Sequence, residues 1–219
     1  MPDGIVFDLD GTLWDSTVTV AAAWDAAVRT RHPRHPPITR AAIVGVMGLA
    51  HRPLLERLFP QHPAPEQERL AALCYAEEER RLRAQGGTVY PGVREGLARL
   101  RERFPLFIVS NCQAGYIETF LDCTALHGQI RDFECHGRTG LSKGENLAAL
   151  LARNGLRSAL LVGDTVGDEE AARAAGTPFL HVGYGFGTAR TPDGRCETFA
   201  QVVETCLEWG NVSDPDPAG

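Results

Sequence analysis

Short apolar runs alternate with amphipathic stretches along most of the chain. Four apolar runs predict strands at residues 5–7, 106–109, 159–162 and 178–182. A mixed stretch at residues 131–135 predicts a further short strand. Runs that are apolar at almost every position are typical of strands buried on both faces of a parallel sheet. Helical spacing follows most of these strands. The alternation therefore predicts an α/β fold, with a parallel sheet covered by helices on both faces.

Residues 16–86 depart from this alternation. They contain proline-rich loops and no convincing strand, and Ser16 is placed to cap the first of four helices. The four helical stretches are residues 17–30, 39–47, 51–58 and 66–84. A small helical bundle inserted into the chain explains this pattern. The predicted organisation is a core of residues 1–14 and 88–210, a helical cap of residues 15–87, and a disordered polar tail of residues 211–219.

Composition and charge narrow the classes of function. Of 219 residues, 43% are apolar, which suits a globular core. A net charge of -6 argues against a general nucleic-acid surface, so an anionic substrate would need a locally positive pocket. Neither a secretory signal nor a membrane-spanning run is visible. Six cysteines without a CxxC pair indicate reduced thiols. We expect a cytoplasmic protein, monomeric or dimeric, that binds neither nucleic acid nor membranes.

Two carboxylates follow the first strand. Asp8 and Asp10 point to the same side of an extended chain, because side chains alternate with period two. Two crowded carboxylates repel each other unless a cation lies between them, and oxygen-only ligands favour a hard ion such as Mg²⁺. The alternative is a common Asp-Gly turn at the end of a strand, which Gly11 would also serve.

Two further predicted strands end in residues that can bind a ligand. Ser110 and Asn111 follow one strand, and Asp164 follows another, with Asp168 four residues later. Taken singly, these residues could simply form turns or cap helices. In parallel sheets, however, ligands bind beyond the carboxyl ends of the strands. Three such ends in one sheet therefore favour a functional site.

Lys143 is the only lysine among 22 basic residues. Arginine occupies every other basic position, which indicates that position 143 needs a compact point charge rather than a planar guanidinium. A cation in the first turn of a helix is mildly unfavourable against the helix dipole. A nearby anion would remove that objection.

The sequence resembles the phosphatase branch of the haloacid dehalogenase superfamily. The resemblance rests on four ordered motifs: Asp8-Leu9-Asp10-Gly11-Thr12, Ser110-Asn111, Lys143, and the stretch from Gly163 to Asp168. It covers the whole chain except the tail. The resemblance implies a Rossmann-like, three-layer α/β/α core with a small helical cap, as in phosphoglycolate phosphatases and beta-phosphoglucomutases. It also implies a small phosphorylated metabolite as substrate, Mg²⁺ as cofactor and an aspartyl-phosphate mechanism.

Within that resemblance, Asp8 corresponds to the nucleophile and Asp10 to the general acid and base, with Thr12 orienting Asp10. Ser110 and Lys143 would hold the phosphate, with Asn111 beside them. The Mg²⁺ ligands would be Asp8, Asp164 and the backbone carbonyl of Asp10, and Asp168 would act directly or through water. His51 and Arg52 lie where the caps of the family present a specificity loop; a solvated helix start is the alternative.

Two departures from the family pattern leave the substrate open. Gly144 follows the lysine where many relatives have proline, and Cys112-Gln113 stands where relatives often have glycine. Simple phosphomonoester hydrolysis is the preferred reaction. A beta-phosphoglucomutase-type mutase is an alternative, although the cap lysine on which those enzymes rely is absent here. A catalytically idle binding or regulatory member is the other.

Overall fold

A computed structural model describes residues 2–209 of the chain. Its strands are β1 (Ile5–Phe7), β2 (Trp14–Asp15), β3 (Thr88–Val89), β4 (Leu106–Ser110), β5 (Asp132–Cys135), β6 (Leu160–Gly163), β7 (Phe179–Val182) and β8 (Gly194–Cys196). Its helices are α1 (Thr17–Arg31), α2 (Arg40–Val44), α3 (His51–Leu58), α4 (Ala64–Gln85), α5 (Val93–Arg101), α6 (Tyr116–Thr124), α7 (His136–Thr139), α8 (Lys143–Arg153), α9 (Val166–Ala174) and α10 (Phe199–Glu208). The predicted tail, residues 211–219, lies outside the described part of the chain.

Six strands form one parallel sheet in the order β5-β4-β1-β6-β7-β8. β1 lies inside the sheet, and all three of its residues are fully buried. Alternate residues enter two apolar layers: Ile5 and Phe7 belong to one core cluster, and Val6 belongs to the other. Helices that cover both faces complete a three-layer α/β/α core. The predicted fold class is confirmed.

The carboxyl-terminal part of the sheet differs from the prediction. β8 was not predicted, because a three-residue Gly-Arg-Cys strand at a sheet edge has no apolar run. The last helix begins at Phe199. Thr198 fixes this start, since its hydroxyl accepts a hydrogen bond from the backbone N–H of Gln201.

Helices α1 to α4 lie between β2 and β3 and form what we call the helical insert (residues 15–87). α1 packs along α4, and the Trp24 ring of α1 stacks against Phe59, which follows α3. β2 and β3 pair antiparallel, with Trp14 opposite Val89, so the two connections to the core run side by side. That the insert acts as a cap stays a prediction. Within residues 2–209, no helix combines the length and apolar character needed to cross a bilayer.

The contact between α5 and α10 generates a stability prediction. A Cβ added at Gly96 would lie 2.6 Å from a Phe199 ring carbon and 2.7 Å from a Val203 methyl carbon. We expect Gly96→Ala to lower the free energy of unfolding by about 1–3 kcal/mol, because overpacking outweighs the higher helix propensity of alanine. Urea denaturation measures the change. Gly128→Ala, where an added Cβ meets no atom within 4 Å, is the matched control. Equal stability of the two variants would contradict the close packing.

Candidate active site

The order of the strands brings the predicted site residues together. β4, β1 and β6 are neighbours and parallel, so their carboxyl ends share one edge of the sheet. Asp8, Ser110 and Asp164 lie at or just beyond these ends, and all three are buried. The convergence expected from the sequence is therefore present.

Asp8, Asp164 and Asp168 form a buried carboxylate cluster. One oxygen from each lies within 4.8 Å of the others. Burial, with repulsion from the neighbouring carboxylates, raises the pKa of Asp8 well above its usual value and that of Asp164 to about 7. Such crowding favours a bound cation, because a cation would stabilise the ionised carboxylates. The acidic side chain of Asp10 does not belong to this cluster.

Asp164 has a free ligand atom. Its Oδ2 accepts a hydrogen bond of 2.7 Å from the backbone N–H of Phe186, whereas its buried Oδ1 has no hydrogen-bond partner in the described part of the chain. Gly11 permits this close arrangement: its φ is +86°, and a Cβ there would collide with the Asp164 carboxylate. Hard oxygen donors of this kind suit Mg²⁺. The residues present thus fit the cation that the sequence predicts.

Lys143 reaches the cluster from the first turn of α8. Its Nζ donates to Oδ1 of Asp8 and to Oδ1 of Asp168, and its side chain is 5% exposed. Burial alone would lower the pKa of Lys143, but the two carboxylates raise it above its usual value, so the ammonium remains charged. The lone lysine therefore does face anions, as its position at a helix N-terminus required.

Local sequence fixes the start of α8. Ser142 accepts a hydrogen bond from the backbone of Glu145, and Glu145 accepts one in return, which completes a capping box. Gly144 also has a packing reason, since a Cβ there would lie 2.9 Å from Cβ of Ala174 in α9. The departure from proline at this position coincides with a close contact between two helices.

Asp10 has a different environment from Asp8. Its Oδ1 accepts hydrogen bonds from Tyr116 Oη at 2.8 Å and from Ser16 Oγ at 2.9 Å. Burial raises the pKa of Asp10 to about 6, although both hydroxyls favour the ionised form. Asp10 is thus held by neutral donors, while Asp8 is held by a cation.

These contacts correct the prediction for Ser16. It precedes α1 but makes no capping hydrogen bond, because its hydroxyl is directed to Asp10 instead. Thr12 is buried and its Oγ1 has no hydrogen-bond partner within residues 2–209, so its role in orienting Asp10 stays a prediction. Tyr116 was missed altogether. It lies 106 residues from Asp10 in the chain, and no local pattern marks it.

A cavity of about 70 Å³ lies between the strand ends and the helical insert. Asp8, Asp10, Ser110 and Asn111 contribute to its core side. Ser110 Oγ accepts a hydrogen bond from the backbone N–H of Cys112, and Asn111 Nδ2 donates one of 2.8 Å to the carbonyl of Gly48 in the insert. The insert side is formed by Val20, Trp24, Ile43, Val46, Met47, Gly48, Leu49, His51, Leu54, Tyr75 and Glu78.

Of the two candidate specificity residues in the insert, His51 and Arg52, only the first lines the cavity. His51 lines the cavity, and its ring nitrogens contact Tyr75 Oη and Glu68. Arg52 does not line it: its guanidinium lies beside Glu56 and Glu68, and its side chain is 46% exposed. Arg52 therefore has the surroundings of a solvated helix start, and a contact with substrate stays a prediction.

Comparison with known proteins agrees with this geometry. The model of a family described as haloacid dehalogenase-like hydrolase matches residues 5–182. The chain belongs to the haloacid dehalogenase-like hydrolases. The family resemblance inferred from the four motifs is therefore confirmed.

Individual relatives cover nearly the whole chain. A phosphoglycolate phosphatase from Synechococcus elongatus is 32% identical over 93% of this chain and 97% of its own. One from Chromobacterium violaceum is 30% identical over 85% of this chain and 87% of its own. Among solved structures, a predicted phosphoglycolate phosphatase from Haemophilus somnus gives a TM-score of 0.82 at 20% identity, over 93% of this chain and 97% of that one. That structural likeness shows a shared fold.

The carboxylate cluster generates a prediction about Mg²⁺. We expect MgCl₂ to raise the Tm of the wild-type chain, because an ion that binds only the folded state stabilises it. Asp164→Asn should reduce this shift, since it removes one negative ligand. Differential scanning calorimetry with and without Mg²⁺ measures the shift within each variant. Asp122→Asn, at a half-exposed side chain, is the control and should keep the full shift. An undiminished shift in Asp164→Asn would remove this residue from the metal site.

Proposed function

We propose that the chain is a Mg²⁺-dependent phosphatase that hydrolyses a small phosphomonoester through an aspartyl-phosphate intermediate. The observation that carries the proposal is the contrast between two neighbouring carboxylates. Asp8 contacts the Lys143 ammonium, whereas Asp10 accepts hydrogen bonds from the neutral hydroxyls of Ser16 and Tyr116. Two carboxyl groups in different environments are suited to different tasks in one reaction.

Asp8 is the proposed nucleophile. An oxygen of its carboxylate forms a bond to phosphorus as the bond between phosphorus and the ester oxygen breaks. A carboxylate and a phosphate dianion repel each other, and Lys143 lies where its charge offsets that repulsion. A Mg²⁺ ion held by Asp8, Asp164, Asp168 and the Asp10 carbonyl would supply further charge neutralisation. Ser110 and Asn111, on the core side of the cavity, would hold the phosphoryl oxygens.

Asp10 is the proposed general acid and base. As an acid it gives its proton to the departing alkoxide oxygen; as a base it then takes a proton from the water that hydrolyses the aspartyl phosphate. A pKa near the working pH suits both roles, and burial raises the pKa of Asp10 to about 6. Tyr116 and Ser16 keep the carboxylate in one orientation through both steps.

The relatives support this reaction type. Two proteins at least 30% identical to the chain over most of both lengths are named phosphoglycolate phosphatase. For a mutase of the beta-phosphoglucomutase type, the insert lacks the expected lysine, and its Arg52 pairs with Glu56 outside the cavity. An idle binding module would not need a separately oriented Asp10. Hydrolysis is therefore the function that the geometry supports best.

The nucleophile can be tested directly. We expect the wild-type chain to hydrolyse p-nitrophenyl phosphate with Mg²⁺, and Asp8→Asn to lower kcat by about a thousandfold or more, because an amide is a poor nucleophile. Inorganic phosphate should still bind, as titration calorimetry would show. Asp122→Asn is the control for the chemical change alone. Retained activity in Asp8→Asn would refute the role of Asp8. A folded wild-type chain without turnover would refute the phosphatase itself.

Tyr116 gives a separate prediction about Asp10. Tyr116→Phe removes one of the two hydroxyl donors that hold the Asp10 carboxylate. We expect kcat to fall about tenfold with little change in KM, because Asp10 loses its orientation while the substrate keeps its contacts. Tyr184→Phe is the matched control: its hydroxyl donates to the backbone carbonyl of Thr12. Steady-state kinetics on both variants decide the matter. An equal effect of the two substitutions would show that Tyr116 has no special role.

A further inference from the structure

The wall that the insert contributes to the cavity contains one buried carboxylate. Glu78 lies on α4, lines the cavity and is 3% exposed. Its oxygens accept hydrogen bonds from Trp24 Nε1 and from Gln113 Nε2. Because each carboxylate oxygen can accept more than one hydrogen bond, Glu78 keeps acceptor capacity for a ligand.

Glu78 has no cationic partner among these contacts. No arginine or lysine side chain belongs to the described lining of the cavity, and His51, which does, contacts Tyr75 and Glu68. Burial raises the pKa of Glu78 to about 7, although both hydrogen bonds favour its ionised form. A buried carboxylate without a cation is costly to the fold. Such a cost is typical of a group that is kept for binding.

The apolar surroundings of Glu78 strengthen its electrostatic interaction with a ligand. The insert side of the cavity is otherwise mostly apolar, with Trp24, Ile43 and Leu54 among its residues. Electrostatic interactions are stronger in such a low-dielectric environment than in water. A second carboxylate placed there would be repelled and left without a cation, whereas a hydroxyl or ammonium group would find an acceptor.

The proposed phosphatase reaction fixes which part of a substrate meets Glu78. The phosphoryl group belongs beside Asp8 on the core side, so the alcohol portion extends toward the insert. Resting on that proposed function, we propose that Glu78 selects phosphomonoesters whose alcohol portion carries a hydrogen-bond donor, and that it excludes esters carrying a carboxylate. The chain would then differ in substrate from phosphoglycolate phosphatases, because phosphoglycolate carries such a carboxylate.

Three phosphate esters of two-carbon alcohols test this selection. They are 2-phosphoglycolate, 2-hydroxyethyl phosphate and 2-aminoethyl phosphate, in which the second carbon is a carboxylate carbon, carries a hydroxyl group or carries an ammonium group, respectively. At about pH 8, where a carboxyl group with a pKa near 7 is ionised, the wild-type kcat/KM for each donor-bearing ester should exceed that for phosphoglycolate by about tenfold or more. An equal or higher value for phosphoglycolate would overturn the proposal, and this result needs no variant.

Glu78→Gln assigns the selectivity to one residue. The substitution removes the negative charge of the side chain and keeps its shape. The amide of Gln113 can rotate so that its oxygen accepts a hydrogen bond from the new glutamine amide. The preference for the donor-bearing esters should fall about tenfold relative to phosphoglycolate. Glu79→Gln, next to it on α4 but 53% exposed, should leave the preference unchanged. An equal loss of kcat/KM for all three esters would overturn the proposal, because that is the signature of a purely structural contact.

The outcome is separable from the phosphatase reaction itself. Absence of turnover with all three esters and with p-nitrophenyl phosphate in the presence of Mg²⁺ would refute the proposed function. Turnover with a preference for the carboxylate would leave that function intact and refute only the role of Glu78.

Discussion

The repulsion among three buried carboxylates is the constraint on which the site depends. Asp8, Asp164 and Asp168 lie close together, and the positive charge that contacts them is Lys143. Three anions against one ammonium leave the cluster short of positive charge, which is why a divalent cation fits it. The charged groups of the cluster must lie close together. Gly11 leaves room for the Asp164 carboxylate because it has no Cβ, and the capping box at the start of α8 fixes the position of Lys143. The sheet brings the carboxylates together, and their charges determine which ion can bind between them.

The same constraint separates two aspartates that are one residue apart. Asp8 lies just beyond β1 inside the cluster, whereas the Asp10 side chain is held outside it by Tyr116 and Ser16. The Lys143 ammonium favours the ionised form of Asp8 against the burial that raises its pKa. Burial raises the pKa of Asp10 to about 6, against the two hydroxyls that favour its ionised form. In the proposed reaction, one strand end would therefore provide both the nucleophile and the proton donor.

Much of the core could be predicted from the sequence because its determinants are local. Buried strands appear as apolar runs, and their chemically distinctive last residues meet at one edge by the geometry of parallel sheets. Lys143 stood out because arginine fills every other basic position. Tyr116 and Glu78 could not be found this way, since each acquires its role only when distant segments pack together. Ser16 shows the limit of a local rule: its hydroxyl bonds Asp10 rather than the helix that it precedes.

The loop after β4 joins the phosphate end of the cavity to the insert. Asn111 donates to the Gly48 carbonyl and Gln113 donates to Glu78, so two residues separated only by Cys112 hold two different segments of the helical insert. Hydrogen bonds of this kind each contribute roughly 0.5–3 kcal/mol, depending on charge. Contacts of that size are weak enough to be replaced by contacts to a ligand. Because Glu78 both lines the cavity and bonds this loop, a ligand that competes for its oxygens would weaken the contact between the loop and the insert.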